Sequence, residues 1–310
     1  MKSSDNTIDT AATDSAWNSF WFGRSIAELS LACRSLAMVR IGLAVIAFWY
    51  FASHWSDVAF WFAGDGILSA EALGVFLADA DLGDTVQWRL SPLYWIDSPT
   101  LLRGYLLVGM LLAIAMPLVR STRAVTVALW LSVVWLANRS MIIGGLEEVT
   151  LAWGLAYLAI APVQTPFSDP AGGTAAWTTT LARRLMQIHL SIVFLVTGLA
   201  MLSSLAWWDG TGVMAVVSPI EIRYFDFTET LRSPLVHESL SHGIVLGAIA
   251  LPVLLWIGST RAAGFCLAIL WCVGLAILSS QWMHFLGLAM LSLSFFPEKF
   301  ADRLFSRTDR

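Results

Sequence analysis

Eight stretches of the chain hold apolar runs close to the ~20 residues a helix needs to cross the hydrocarbon of a bilayer. They lie at residues 35–55, 99–118, 122–142, 146–162, 181–203, 236–257, 261–279 and 281–297. Within hydrocarbon every backbone N–H and C=O must be paired by protein, which only helices and closed barrels achieve. Composition agrees: 57% of residues are hydrophobic and 13% charged, against roughly 25% charged in soluble domains. The expected fold is all-α, a polytopic membrane helix bundle of eight transmembrane helices. The fourth and last stretches are short and adjoin tight turns, so seven spans is the alternative count.

The first sixteen residues are polar and lack the basic and apolar regions of a cleaved signal peptide. They read as a cytoplasmic tail. Trp17, Phe20, Trp21 and Phe22 then mix with polar residues ahead of Ser25-x-x-Glu28, a capping-box pattern, predicting a short helix on the membrane surface. The chain thus divides into a tail with an interfacial helix (1–34), a transmembrane domain (35–297) and a basic cytoplasmic tail (298–310). With eight spans and an internal N-terminus, twelve Lys and Arg fall inside and five outside. By the positive-inside rule both termini are cytoplasmic. The sixteen tryptophans suit the two interfaces. Asp57, Asp65, Glu71, Asp79, Asp81, Asp84 and Asp97 crowd the outer connection after the first span and read as a wet surface.

A net charge of -4 without a basic cluster excludes nucleic acid as a partner. Cys33, Cys266 and Cys272 make no CxxC, zinc or disulfide pattern and read as packing residues. The five histidines lack HxxH or HExxH spacing, so no metal site is expected.

Two internal echoes point to duplication. Ser-Thr-Arg-Ala recurs at 121–124 and 259–262, and an Asp-Gly pair follows the first span of each half, at Asp65-Gly66 and Asp209-Gly210. Spans one to four and five to eight read as a parallel four-helix internal repeat.

The sharpest anomaly is Asn138 to Val149, NRSMIIGGLEEV, which sets Arg139, Glu147 and Glu148 in a strongly apolar region. Counted from Thr122, Arg139 lies about 25 Å up the third span. Gly144-Gly145 predicts a tight turn, so the returning helix brings the glutamates to the same height. Successive helical residues point about 100° apart. One glutamate is therefore expected to pair with Arg139 while the other faces a cavity or the outer water. The cluster reads either as an ion pair locking the hairpin or as a substrate or proton site. In the repeat, Leu146 falls on His284. Glu147, Glu148 and His284 are accordingly the candidate catalytic residues. Asn138, Arg139, His189, Arg40 and Asp209 are the candidate binding residues: His189 sits within the fifth span, Arg40 can snorkel toward a lipid phosphate, and Asp209 can cap a short helix after Trp207-Trp208.

The order of VRIGLAVIAFWYF, FAGDGILS, ANRSMIIGGLEEV and GLAMLSSLAWWDGT resembles the horizontally transferred transmembrane domain family, which includes the membrane core of vitamin K-dependent gamma-carboxylases. The resemblance covers residues 35–297 and implies an eight-span bundle with a cavity for a quinone or another lipid. It does not carry over the carboxylase reaction. Where those enzymes place a lysine pair after the glycine of the fifth span, Gly198 is followed by Leu199, Ala200 and Met201, and their catalytic histidine falls at Gly145.

Three function classes follow: a membrane enzyme acting on a quinone or isoprenoid-like lipid, a lipid binder or transporter, and a structural subunit of a membrane complex. The expected partners are the lipid bilayer, a hydrophobic small molecule, and a membrane protein or a second copy of the chain.

Overall fold

The computed structural model describes residues 17–18, 20–21, 26–79, 90–119, 122–161, 177–217 and 225–297. The expected tails at 1–16 and 298–310, Ser25 of the capping box, and Asp81, Asp84 and Trp88 lie outside the described residues.

All regular structure among the described residues is helical. A long α1 (Ile26–Ser53) is followed by the short α2 (Val58–Phe62) and α3 (Ala70–Asp79) and a 3-10 turn at Pro92–Trp95. Then come α4 (Pro99–Leu118), α5 (Thr122–Arg139) and α6 (Leu146–Ile160). The second half repeats the order: a long α7 (Trp177–Leu202), the short α8 (Leu205–Trp208) and α9 (Gly212–Val217), then α10 (Pro234–Trp256), α11 (Arg261–Leu278) and α12 (Trp282–Ser292). The end of the bundle that holds the α5–α6 turn is called the upper end below.

The helix starts have local causes. Both α4 and α10 open on Ser-Pro, with proline at the first helical turn, where its missing N–H would have been unpaired anyway. Five helices, α1, α4, α7, α10 and α11, are long and apolar enough to cross a membrane, so the chain is a multi-pass integral membrane protein. The remaining expected spans correspond to α5, α6 and α12, of 18, 15 and 11 residues.

Of the five, α1 is the central helix. In its most apolar stretch 61% of residues are buried inside the protein, against 28% in α4 and in α7. It packs on α4, α12, α6 and α7 and carries the fully buried Leu36, Leu43, Tyr50 and Phe51. Lipid is as apolar as leucine, so helices in a bilayer associate through close packing and polar contacts rather than burial from water. The α1–α4 seam shows this. A Cβ at Gly109 would lie 2.6 Å from the Phe51 ring, which is fully buried and has nowhere to swing. Gly104, five residues earlier on the same helix, faces open space.

Gly109→Ala is therefore expected to destabilise the bundle by about 1–3 kcal/mol, the usual cost of overpacking. Gly104→Ala is expected to be neutral or slightly stabilising. Thermal melts of the two variants in detergent test this, and equal melting temperatures would refute the seam.

Candidate functional site

Three polar groups meet at the upper end, where α1, the α5–α6 turn and α12 come together. At their centre is Glu148, buried in the first turn of α6. Its Oε1 accepts hydrogen bonds from the hydroxyls of Tyr50 on α1 (2.9 Å) and Ser140 after α5 (2.7 Å). Tyr50 and Ser140 are both fully buried. A carboxyl group placed there costs heavily without donors, and two hydroxyls supply them.

The α5–α6 turn makes room for this. Neither Gly144 nor Gly145 adopts a positive φ, so the pair is not needed for left-handed backbone. Instead, a Cβ at Gly144 would collide with the Glu148 carboxylate, and one at Gly145 with that of Glu147. Both carboxylates fold back over the turn to the N-terminus of α6, where the helix dipole favours negative charge.

Arg139 takes a different partner from the one expected. It lies fully buried at the end of α5, and its ion-pair partner is Asp97 at 3.6 Å. Its guanidinium also donates to the carbonyls of Phe62 (3.3 Å) and Ser69 (3.5 Å) and lies over the Phe62 ring. Asp97 in turn accepts from the Ala70 backbone N–H at 2.9 Å. Arg139 thus ties the α2–α3 connection and the segment before α4 to the top of α5, and not the α5–α6 hairpin. The reason is directional: Glu148 points toward α1, while the end of α5 is covered by the loop that carries Asp97. Asn138 works beside it, donating to the Leu90 carbonyl (2.9 Å) and accepting from the Tyr94 hydroxyl (3.3 Å).

His284 does reach this level. Its Nδ1 lies 2.7 Å from the Thr150 hydroxyl, two residues along α6 from Glu148. The other candidates lie elsewhere. Arg40 is buried on α1 and donates to the Val119 carbonyl at the end of α4 (3.2 Å), so it is not placed at a lipid headgroup. Asp209 is exposed and closes a turn by accepting from the Thr211 N–H (3.1 Å) and hydroxyl (2.6 Å), with Gly210 beside it at φ +81. Those bonds from Thr211 hold its carboxyl below the usual range. His189 lies in the middle of α7 against α6.

Above Tyr50 opens a cleft of about 250 Å³ lined by Ser53, His54, Asp57, Val58, Trp61, Phe62 and Ile143. His54, just past the end of α1, is its one ionisable ring. Its Nδ1 lies 2.9 Å from the Tyr50 carbonyl. A carbonyl only accepts, so Nδ1 carries the proton and Nε2 keeps its lone pair. Nε2 has no partner among the described residues. Burial is the largest influence on the ring and lowers its pKa below the ordinary 6.5, opposed by the Tyr50 carbonyl, Glu147 and Asp57. A neutral imidazole base thus faces the cleft with two carboxylates nearby. Reading the sequence missed Tyr50, Asp97 and this role for His54. The only available signal for His54 was its helical spacing from Asp57, which is weak.

No family model, curated protein or solved structure matches the chain.

Two predictions follow from this geometry. Tyr50→Phe and Gly144→Ala both disturb the bonding of Glu148, each at a cost of about 1–3 kcal/mol. Because they act on one carboxyl group, the double variant is expected to lose clearly less than the sum, and additive melting shifts would sink the link. Nitrogen NMR of labelled histidine should show His54 neutral at pH 6.5. Since its folded pKa is the lower one, its contribution to stability is present above 6.5 and is lost as pH falls through the folded value. A His54 that protonates at or above 6.5 would contradict the burial argument.

Proposed function

We propose that the chain is an eight-span bundle of the horizontally transferred transmembrane domain type, made of two parallel four-helix halves. In this reading it takes the polar head of a quinone or isoprenoid-like lipid into the upper cleft. The repeat is supported by the shared order of long helix, two short helices, proline-started helix, helix and short helix. It is supported too by Pro99 and Pro117 in α4, which recur at the same interval as Pro234 and Pro252 in α10. An even number of spans puts both termini on one side, and the arginine bias makes that side the cytoplasm.

The observation that carries the ligand site is the His54 tautomer. Held by the Tyr50 carbonyl, Nε2 is positioned as a base toward the cleft. Asp57 and Glu147 stabilise the imidazolium that forms when it takes a proton. Glu148, held by Tyr50 and Ser140, fixes the wall behind it. His284 steadies α6 through Thr150. At about 250 Å³ the cleft is smaller than the ~300–1,000 Å³ of sites that enclose a drug-sized ligand. It suits a head group whose tail stays in the bilayer. Val58, Phe62 and Ile143 supply apolar contact.

Carboxylation is not part of the proposal. Gly198 is followed by Leu199, Ala200 and Met201, and neither Ala200 nor Met201 can take a proton.

Native mass spectrometry of the protein in lipid nanodiscs tests the reading. One quinone or isoprenoid per chain is expected to be retained and to be lost in Trp61→Ala and Asp57→Ala. Retention in His54→Gln without chemical turnover of that lipid would fit the acid-base role, whereas equal turnover would leave a lipid binder. An apoprotein that carries a stoichiometric second polypeptide would overturn the proposal in favour of a structural subunit.

A further inference from the structure

Below the point where the Phe51 ring meets Gly109 and closes the seam between α1 and α4, each helix brings an alanine to that seam. Ala44 and Ala113 are buried and form the floor of a groove of about 360 Å³. Its rims are large side chains left on the outside of the bundle: Ile41 and Val45 on α1, Ile114 and Leu118 on α4. Small residues in the seam, flanked by large ones, leave a channel that the protein's own side chains do not fill.

The groove lies in one half of the membrane. α4 has 20 residues, about 30 Å of helix, which matches the thickness of the hydrocarbon. Leu118 ends that helix, so the foot of the groove sits at the hydrocarbon boundary opposite the α5–α6 turn, the lower end of the bundle. From Ile41 to Phe48, its uppermost residue on α1, the groove climbs about 10 Å. It therefore stays within the roughly 15 Å of a single leaflet, the depth of an acyl chain whose head lies at the lower surface.

The residues below the groove indicate which head. Arg34 precedes Ile41 by seven residues, and positions 34, 41, 45 and 48 follow the spacing of one helix face. It is half-buried and about 10 Å below Ile41. Long side chains on a helix lean toward its N-terminus, which here means toward the headgroups. A guanidinium presents five N–H donors in a fork that matches a phosphate, and it can hold a group of the protein at the same time. The surrounding charge agrees. The lower helix ends carry Arg34, Arg40, Arg123, Arg183, Arg184 and Arg261, and among the described residues only Glu28 opposes them there. Such an excess of basic residues at a membrane surface favours anionic lipids.

We propose that the α1–α4 groove and Arg34 form a site for one anionic glycerophospholipid of the lower leaflet, with an acyl chain over Ala44 and Ala113 and the phosphate on Arg34. The lipid acts as a part of the bundle, filling the seam that the two alanines leave open. The site lies at the opposite end from the upper cleft, shares no residue with it and does not depend on the ligand proposed there.

The test uses the full chain, purified in detergent and titrated with dioleoylphosphatidylglycerol or dioleoylphosphatidylcholine, read by native mass spectrometry and thermal melting. Wild type is expected to retain one phosphatidylglycerol about tenfold more tightly than phosphatidylcholine, the effect of one charged hydrogen-bonded contact, and to melt higher in its presence. Arg34→Gln is expected to abolish the preference, and Arg34→Lys, which keeps the charge without the fork, to keep part of it. Ala113→Leu is expected to weaken both lipids by filling the floor. Should that variant fail to fold, Val45→Trp on the exposed rim closes the groove from outside and is expected to do the same. Failure of wild type to retain phosphatidylglycerol, or equal retention by wild type and Arg34→Gln, overturns the inference. Undiminished binding in Val45→Trp overturns it too. Loss of phosphatidylglycerol in Trp61→Ala would put the lipid in the upper cleft, and a dimer that excludes the lipid and is broken by Val45→Trp would give the groove to a second copy of the chain. Either result overturns the inference and leaves the proposed function standing.

Discussion

A polar group in hydrocarbon has no water to fall back on, and the arrangement of this bundle follows from that constraint. Arg139, Glu148, Tyr50, Ser140 and Arg40 are all buried in a protein that is largely apolar. Each is held by groups from a different element: Tyr50 on α1 and Ser140 after α5 meet Glu148 on α6, while Arg40 on α1 meets the carbonyl at the end of α4. Since apolar surfaces give helices no net reason to choose one another over lipid, these bonds and the close approach at Gly109 specify which helices meet and at what height. The same bonds leave the upper end open enough for a cleft, because Arg139 is committed to the loop carrying Asp97 and not to the hairpin.

How much of this was readable in advance depended on range. The all-helical, multi-pass character lay in the apolar runs, since a bilayer imposes one length on every span. That Glu148 would lie at the top of α6 was also legible, because a short glycine turn and a helical rise are local geometry, whereas His284 was set at that level by the internal echo alone. The partner of Arg139 was not. Choosing between Glu147, Glu148 and Asp97 requires knowing that Glu148 is claimed by Tyr50, about a hundred positions away in the chain, and nothing in a sequence reports such a bond. Arg40 shows the same limit: its helix position suggested snorkelling, but the end of α4 arrived first and covered it.

The glycines at the turn show that a correct expectation can rest on a different cause. Gly144-Gly145 predicts a tight turn, and the chain does turn there. The backbone stays in ordinary regions, and what the missing side chains provide is space for two carboxylates to lie over the helix start. A residue chosen for the room it leaves is invisible to reasoning about φ and ψ alone. Among the described residues, Gly210 alone has a positive φ, at +81, where a side chain would be strained.

Two histidines illustrate how far one neighbouring oxygen decides the chemistry of an imidazole. At the water-facing edge, His54 has its Nδ1 tied to a carbonyl, an acceptor that forces the proton onto Nδ1 and leaves Nε2 basic. In the middle of α7, His189 has its Nδ1 against the Tyr157 phenol, which can both donate and accept, so that bond alone is compatible with the proton on either ring nitrogen. A tautomer is thus set where the neighbouring oxygen can only accept, as at His54, and left open where it can do both, as at His189.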